Sequence, residues 1–362
     1  MTLLSDDTDT ITLQKDASRL PLNVARIVAA AIVSTVLSFL ITLFFTLGYD
    51  WHPLREIVSR LGSDLSPPGA WDVVLMQAVI LSLIYLLPFL LLVISNFRKS
   101  PDCSENDAIR YESLSSFIIR FGFWSVALIG VADVLISLLR VEDWLESIVG
   151  HQMSISLGLS NFRAVMLHLP LIAVSGIIAL FTRSTSVIWL SLLVVLSEFT
   201  IVIARFVFSY EQAFMGDLVR FWYSALFLLA AGYCLAEDEH VRVDIFYAKH
   251  GRKGKAVTNA IGTLVLGLPF LWIILIKGLG EKSSSLSVAL LNFEISQSGF
   301  GMYVKYLMAG LLVVFAVSMI AQLAAVFMRN CAVLCRPNSV QTMRAGLRPA
   351  DQSSPENTTS QG

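Results

Sequence analysis

Eight long, nearly uninterrupted apolar runs constrain this chain of 362 residues more than any other feature. They cover roughly 24–48, 72–96, 116–139, 163–182, 186–208, 218–237, 257–279 and 303–328. Each is long enough to cross a hydrocarbon core of about 30 Å as a helix. Backbone groups find no water in hydrocarbon, so such runs must pair their own N–H and C=O groups as helices. The runs are continuous rather than alternating, which excludes a β-barrel. The first is too long for the apolar part of a signal peptide and is read as a span. The expected fold is all-α: a polytopic membrane protein of about eight transmembrane helices. Pro88, Pro170 and Pro269 lie inside spans, where kinks are expected.

Composition closes the other routes. Charged residues make up 15% of the chain and hydrophobic ones 56%, with a mean hydropathy of +0.71. A soluble domain carries roughly 25% charge, so there is too little here to coat a water-facing surface. A net charge of −1 gives no general attraction to nucleic acid. Cys103, Cys234, Cys331 and Cys335 make no redox or zinc framework, because no second Cys/His pair lies near Cys331 and Cys335. Phosphate-loop, zinc-protease and nucleophile-elbow motifs are absent, so neither enzyme chemistry nor a cofactor or metal is expected.

Lys and Arg set the expected orientation. With the amino terminus inside, sixteen basic residues fall in cytoplasmic segments, and only Arg55, Arg60, Arg140 and Lys282 fall outside. Both termini are therefore expected in the cytoplasm. The chain divides into a cytoplasmic segment 1–23, a four-helix region 24–182 without a recognised motif, a second four-helix region 186–328, and a cytoplasmic tail 329–362. The tail is rich in Ser, Asn, Thr and Gln and is expected to be disordered.

Ionisable groups inside spans need an explanation, because each costs about 2.5–3.5 kcal/mol on insertion scales. Asp133 sits midway along span three and Glu198 midway along span five, and His168 lies in span four. Glu198 shares a helical face with Arg205, about 10.5 Å further along, too far for a direct ion pair. A coupling-ion role for Glu198 would need several convergent oxygens, and bonding to a neighbouring helix or partner subunit is the plainer reading. Asp133 carries the same two readings. His168 is read as a satisfied polar contact. Asp217 opens span six, where the helix dipole favours it, and lies three residues before Arg220, within reach of a local pair.

From residue 186 onward the order of motifs becomes specific. Span five closes on Ala204-Arg205-Phe206; Asp217-Leu218-Val219-Arg220 opens span six; and that span exits through His240-Val241-Arg242-Val243-Asp244. Glu294-Ile295-Ser296 and Gly299 then precede Lys305. This arrangement, over 186–328, resembles the DctQ-like small permease subunit of tripartite ATP-independent periplasmic (TRAP) transporters. The residues that correspond to the family's pattern are Arg205, Asp217, Arg220, His240, Arg242 and Asp244. Phe214 and Gly216 stand where the family commonly has Trp and a second acidic residue, and four further spans precede the match.

The resemblance implies a small membrane subunit of a secondary transporter in a bacterial inner membrane, lying among membrane lipids. Its implied partners are a large permease subunit, which holds the substrate and ion sites, and a periplasmic substrate-binding protein that delivers an organic acid. The six corresponding residues are then candidates for helix positioning or subunit contact. Ordinary interfacial anchoring is the alternative for Arg205, Asp217 and Arg220, and an orientation signal for the basic run after Asp244. Two other classes stay open: a self-sufficient transporter or channel using Asp133, His168, Glu198 and Arg205, and an unrelated membrane enzyme or assembly factor.

Overall fold

The computed structural model describes residues 5–51, 70–97, 104–183, 187–236, 247, 249–295 and 301–335. Every regular element among them is helical. Eight helices are long and apolar enough to cross a membrane. They are α1 (Ser5–Gly48), α2 (Ala70–Phe97), α3 (Ser104–Val141), α4 (Ser160–Phe181), α5 (Val187–Phe208), α6 (Ala213–Ala236), α7 (Arg252–Leu279) and α8 (Lys305–Cys335). Two short helices, Leu145–Val149 and His151–Leu157, join α3 to α4, and Ser285–Leu291 lies between α7 and α8.

The prolines act in two ways. Proline lacks an N–H, and its ring crowds the carbonyl four residues earlier. In α4 and α7 the ladder widens just before the proline: a π-turn over Ala164–His168 precedes Pro170, and one over Thr263–Gly267 precedes Pro269. The i→i+5 bonding of a π-turn relieves that crowding without opening the helix. Around Pro88, by contrast, α2 runs on as an unbroken α-helix.

α8 is the axis of the bundle. It packs against α1, α3, α6 and α7; α3 also packs on α4 and α6, α1 on α2, and α5 on α6. The spanning part of α8 is 61% buried, against 6% for α2 and 11% for α5, which are the outermost helices. Lipid tails are as apolar as leucine, so helices associate in a membrane through close packing rather than hydrophobic exclusion. Accordingly α8 buries Ala316, Ala321, Ala324, Ala325 and Ala332. One apolar cluster joins Phe123, Val126 and Ile129 of α3 to Phe221, Trp222 and Leu229 of α6. A second joins Val36 of α1, Leu271 of α7 and Ile320 of α8. Gly130 of α3 makes room for α6: a Cβ there would run into the indole of Trp222. The same indole donates to the carbonyl of Val126 at 3.3 Å.

Polar ties close both ends of the bundle. At one end Arg26 Nε donates to Asp107 Oδ2 at 2.8 Å with both side chains buried, and Arg329 pairs with Glu112. At the other end Lys282 pairs with Asp50, and the Tyr210 hydroxyl donates to Glu142 Oε1 at 2.6 Å. Desolvation and the adjacent Glu142 carboxylate push the Tyr210 phenol up to about 12.

Helix limits differ from the sequence expectation at several ends: α1 starts at Ser5 rather than near 24, α7 starts at Arg252 rather than 257, and α8 runs to Cys335, into the stretch expected to be a disordered tail. α3 starts at Ser104 rather than near 116, because its polar first turns are held by Asp107 and Glu112 against α1 and α8. α6 starts at Ala213 rather than 218, and α8 starts at Lys305 rather than 303.

Candidate functional site

The late start of α8 has a specific cause. Residues 301–304 are non-helical, yet Met302 is 0% exposed and Val304 1%. Buried backbone outside a helix must find partners for its N–H groups, and in a membrane protein such backbone persists only where protein encloses it. Two carboxylates supply those partners. Met302 N–H donates to Asp217 Oδ2 of α6 at 3.1 Å, and Tyr303 N–H donates to Asp133 Oδ2 of α3 at 2.8 Å.

Asp133 is the centre of a wider network. Its Oδ1 accepts from Arg163 Nη1 at 3.0 Å and lies 3.1 Å from His168 Nε2. His168 Nδ1 lies 2.6 Å from the Tyr306 hydroxyl. A neutral imidazole fits both contacts, donating from Nε2 to the carboxylate and accepting the tyrosine O–H at Nδ1. Asp133 and Arg163 then balance one charge against one. Arg163 Nε donates to the carbonyl of Leu157 at 2.9 Å, and the guanidinium stacks over the Tyr303 ring at 4.1 Å from its centroid. The Tyr303 hydroxyl donates to the carbonyl of Gly158 at 2.7 Å and accepts from Arg140 Nη1 at 2.8 Å. Asp133, Arg163 and His168 are all fully buried.

The π-turn of α4 makes this convergence possible. In an α-helix, residues five apart point about 140° away from each other. The wider π-turn over Ala164–His168 brings His168 round toward the side of Arg163. Both side chains thus meet one carboxylate oxygen of Asp133.

The other sequence candidates are placed differently. Asp217 is buried, whereas Arg220 is 75% exposed and reaches it only at 3.5 Å. Arg205 is exposed and pairs with Glu211 at 3.4 Å. Glu198 is exposed on α5, two turns before Arg205, and has no hydrogen bond or ion pair among the described residues. His240, Arg242 and Asp244 lie outside the described residues. A cavity of about 520 Å³, lined by Tyr247, Asn259, Thr263, Arg329 and Asn330, lies beside Ala236 at the last described turn of α6. Among the described residues no group of three or more His, Cys, Asp or Glu could hold a metal ion.

Arg163, Tyr303 and Tyr306 did not stand out in the sequence. Arg163 could have been found as the opposite charge to Asp133 on the adjoining span. The tyrosines carry no signal of their own, since a Tyr near a membrane boundary is ordinary.

Residues 194–332 match the family model of the DctQ component of tripartite ATP-independent periplasmic transporters. This stretch is DctQ-like. The match opens eight residues after the start read from the sequence and ends four residues beyond its close, so it holds most of α5, all of α6 and α7, and nearly all of α8. No curated protein and no solved structure matches the chain. The buried network therefore straddles the DctQ boundary. Asp217, Tyr303 and Tyr306 lie within the match; Asp133, Arg163 and His168 lie before it.

Proposed function

We propose that this chain is the small membrane subunit of a TRAP-type secondary transporter. It supports a large permease subunit that takes up an organic acid, delivered by a periplasmic binding protein, across a bacterial inner membrane. The observation that carries this reading is the DctQ match over 194–332, a stretch that includes the central helix α8 and packs against α1–α4. The charged groups support a scaffold role rather than a path. Asp133 is sealed in a charge-balanced network, and Arg205 and Glu198 sit apart from it on the outermost face of α5. Asp133, Glu198 and Arg205 thus do not converge on a common site, as ligands of a midplane transport site do.

In this reading Asp217 is a helix-positioning residue, and Arg205, Arg220, His240, Arg242 and Asp244 are candidates for contact with the permease. Both termini face the cytoplasm. The test is co-purification in mild detergent with the large permease, combined with uptake measured in cells lacking this chain. Recovery of the pair and loss of uptake are expected. Full uptake without the chain overturns the proposal, as does transport by the purified chain alone.

A further inference from the structure

α5 and α2 are both outermost helices, yet they differ in what they show. α2 turns Val73, Val79, Leu83, Leu86 and Leu90 outward, a face that lipid tails satisfy. α5 buries Leu190 and Ser197 against the bundle and turns Val195, Phe199 and Val202 outward, with Glu198 exposed beside them. Glu198 is the twelfth residue of a helix of 22, about 15 Å from either end. Long Lys and Arg stems can carry a charge from within a span to the interface. A glutamate with two methylenes cannot cover that distance. The described residues give it no partner, and Arg205 on the same face is already paired with Glu211.

We infer that the outward face of α5 around Glu198 is the docking surface for a transmembrane helix of the large permease subunit, which presents a cationic or amide hydrogen-bond donor to the Glu198 carboxylate at mid-membrane depth. This deepens the small-subunit reading and rests on it. The occupant follows from charge: a buried carboxylate takes a donor of opposite sign or an N–H group. A second copy of this chain docking through the same face about a two-fold axis would set Glu198 against Glu198, so it is the wrong complement. Lipid tails offer no donor. Val195 and Val202, one turn before and after Glu198, flank the carboxylate with short side chains.

The test places a photo-cross-linking amino acid at Val195 or Val202 on α5, and at Leu83 or Leu90 on α2, in the chain co-expressed with its permease. Adducts with the permease from the α5 positions and not from α2 are expected. Glu198→Leu should lower recovery of the permease several-fold while the chain itself stays in the membrane at its normal level, and Glu198→Gln should keep most of it. Adducts from α2 alone, adducts between two copies of the chain through α5, or normal recovery with Glu198→Leu each overturn the docking surface while leaving the small-subunit reading intact. If the wild-type chain never recovers a permease, the small-subunit reading falls, and this inference with it.

Discussion

The backbone N–H of Tyr303 donates to the carboxylate of Asp133 across 170 positions of sequence, at 2.8 Å and out of contact with solvent. One partner lies in the part of the chain that precedes the DctQ match and the other lies inside it. The contact ties α3 to the DctQ-like stretch where α8 begins. Asp217 repeats it one residue earlier, from α6 to Met302. The entry into α8 is thereby fixed from two helices at once.

Removing the Asp133 carboxylate should be among the most damaging changes in the chain. Asp133→Ala leaves Arg163 buried without its counter-charge and Tyr303 N–H without an acceptor. Breaking a buried ion pair from one side costs about 3–5 kcal/mol. Replacing both members with apolar residues, Asp133→Leu with Arg163→Leu, should cost less than the two single changes combined. Thermal unfolding of the detergent-purified chain reads this. Additive single and double changes would mean that the two residues are not coupled.

The outer arm of the network is weaker. Tyr306→Phe removes the hydroxyl beside His168 Nδ1 but keeps the ring, which also meets Phe293 edge-on. Side-chain hydrogen bonds between membrane helices average about 0.6 kcal/mol and reach about 1.7. A loss within that range is expected in the same unfolding measurement. A loss as large as that of Asp133→Ala would move the centre of the network from the carboxylate to the tyrosine.

The eight spans were legible in the sequence because hydrocarbon allows few ways to satisfy a backbone, and length with composition then decides. The start of α8 was legible to within two residues, but its cause was not. Residues 303 and 304 are as apolar as the helix that follows, and partners distant in sequence hold the entry segment outside the helix. Asp133 was conspicuous as an intramembrane acid, but its partners come from α4 and from the start of α8. Nothing local in the sequence sets the depth at which those elements meet. The π-turn that turns His168 toward Arg163 was foreshadowed only by Pro170, which announces a disturbance without its form. Glu198 was equally visible, and the structure places it on an outer face rather than inside the bundle.

Asp217 and Arg220 should separate, although the sequence presents them as a pair. Asp217→Ala leaves the Met302 N–H buried without its carboxylate acceptor, a loss of about 1–3 kcal/mol. Arg220 is 75% exposed, and an exposed pair contributes about 0–1 kcal/mol. In the isolated chain, Asp217→Ala should therefore be clearly destabilised and Arg220→Ala close to wild type. Equal effects would mean that the local pair, rather than the Met302 bond, is what Asp217 provides.

Gly130 sets the distance between α3 and α6. A larger side chain there meets the Trp222 indole, so Gly130→Leu must push the helices apart or displace the ring. Overpacking of this kind costs about 1–3 kcal/mol. Adding Trp222→Ala should recover part of the loss, because it removes the obstacle. If Gly130→Leu is harmless by itself, the close approach of α3 and α6 is not a constraint on the bundle.

An even number of crossings returns a chain to the side on which it began, so a chain that crosses at all eight candidate helices has both ends of its spanning region in one compartment. Charge determines which compartment. Basic residues near the membrane are retained on the cytoplasmic side during insertion, and the segments that the sequence reading assigns to the cytoplasm hold sixteen of them against four in the segments assigned outside. Reporter fusions after Gly150, Gln212 and Leu290 should therefore report periplasm, and fusions after His250 and Val340 cytoplasm. The pair at Gln212 and His250 is the sharpest, since only α6 separates the two positions and each fusion checks the other. A cytoplasmic signal at Gln212 with a periplasmic one at His250 would invert the DctQ-like half, and would put the 301–304 segment and its two carboxylates on the cytoplasmic side.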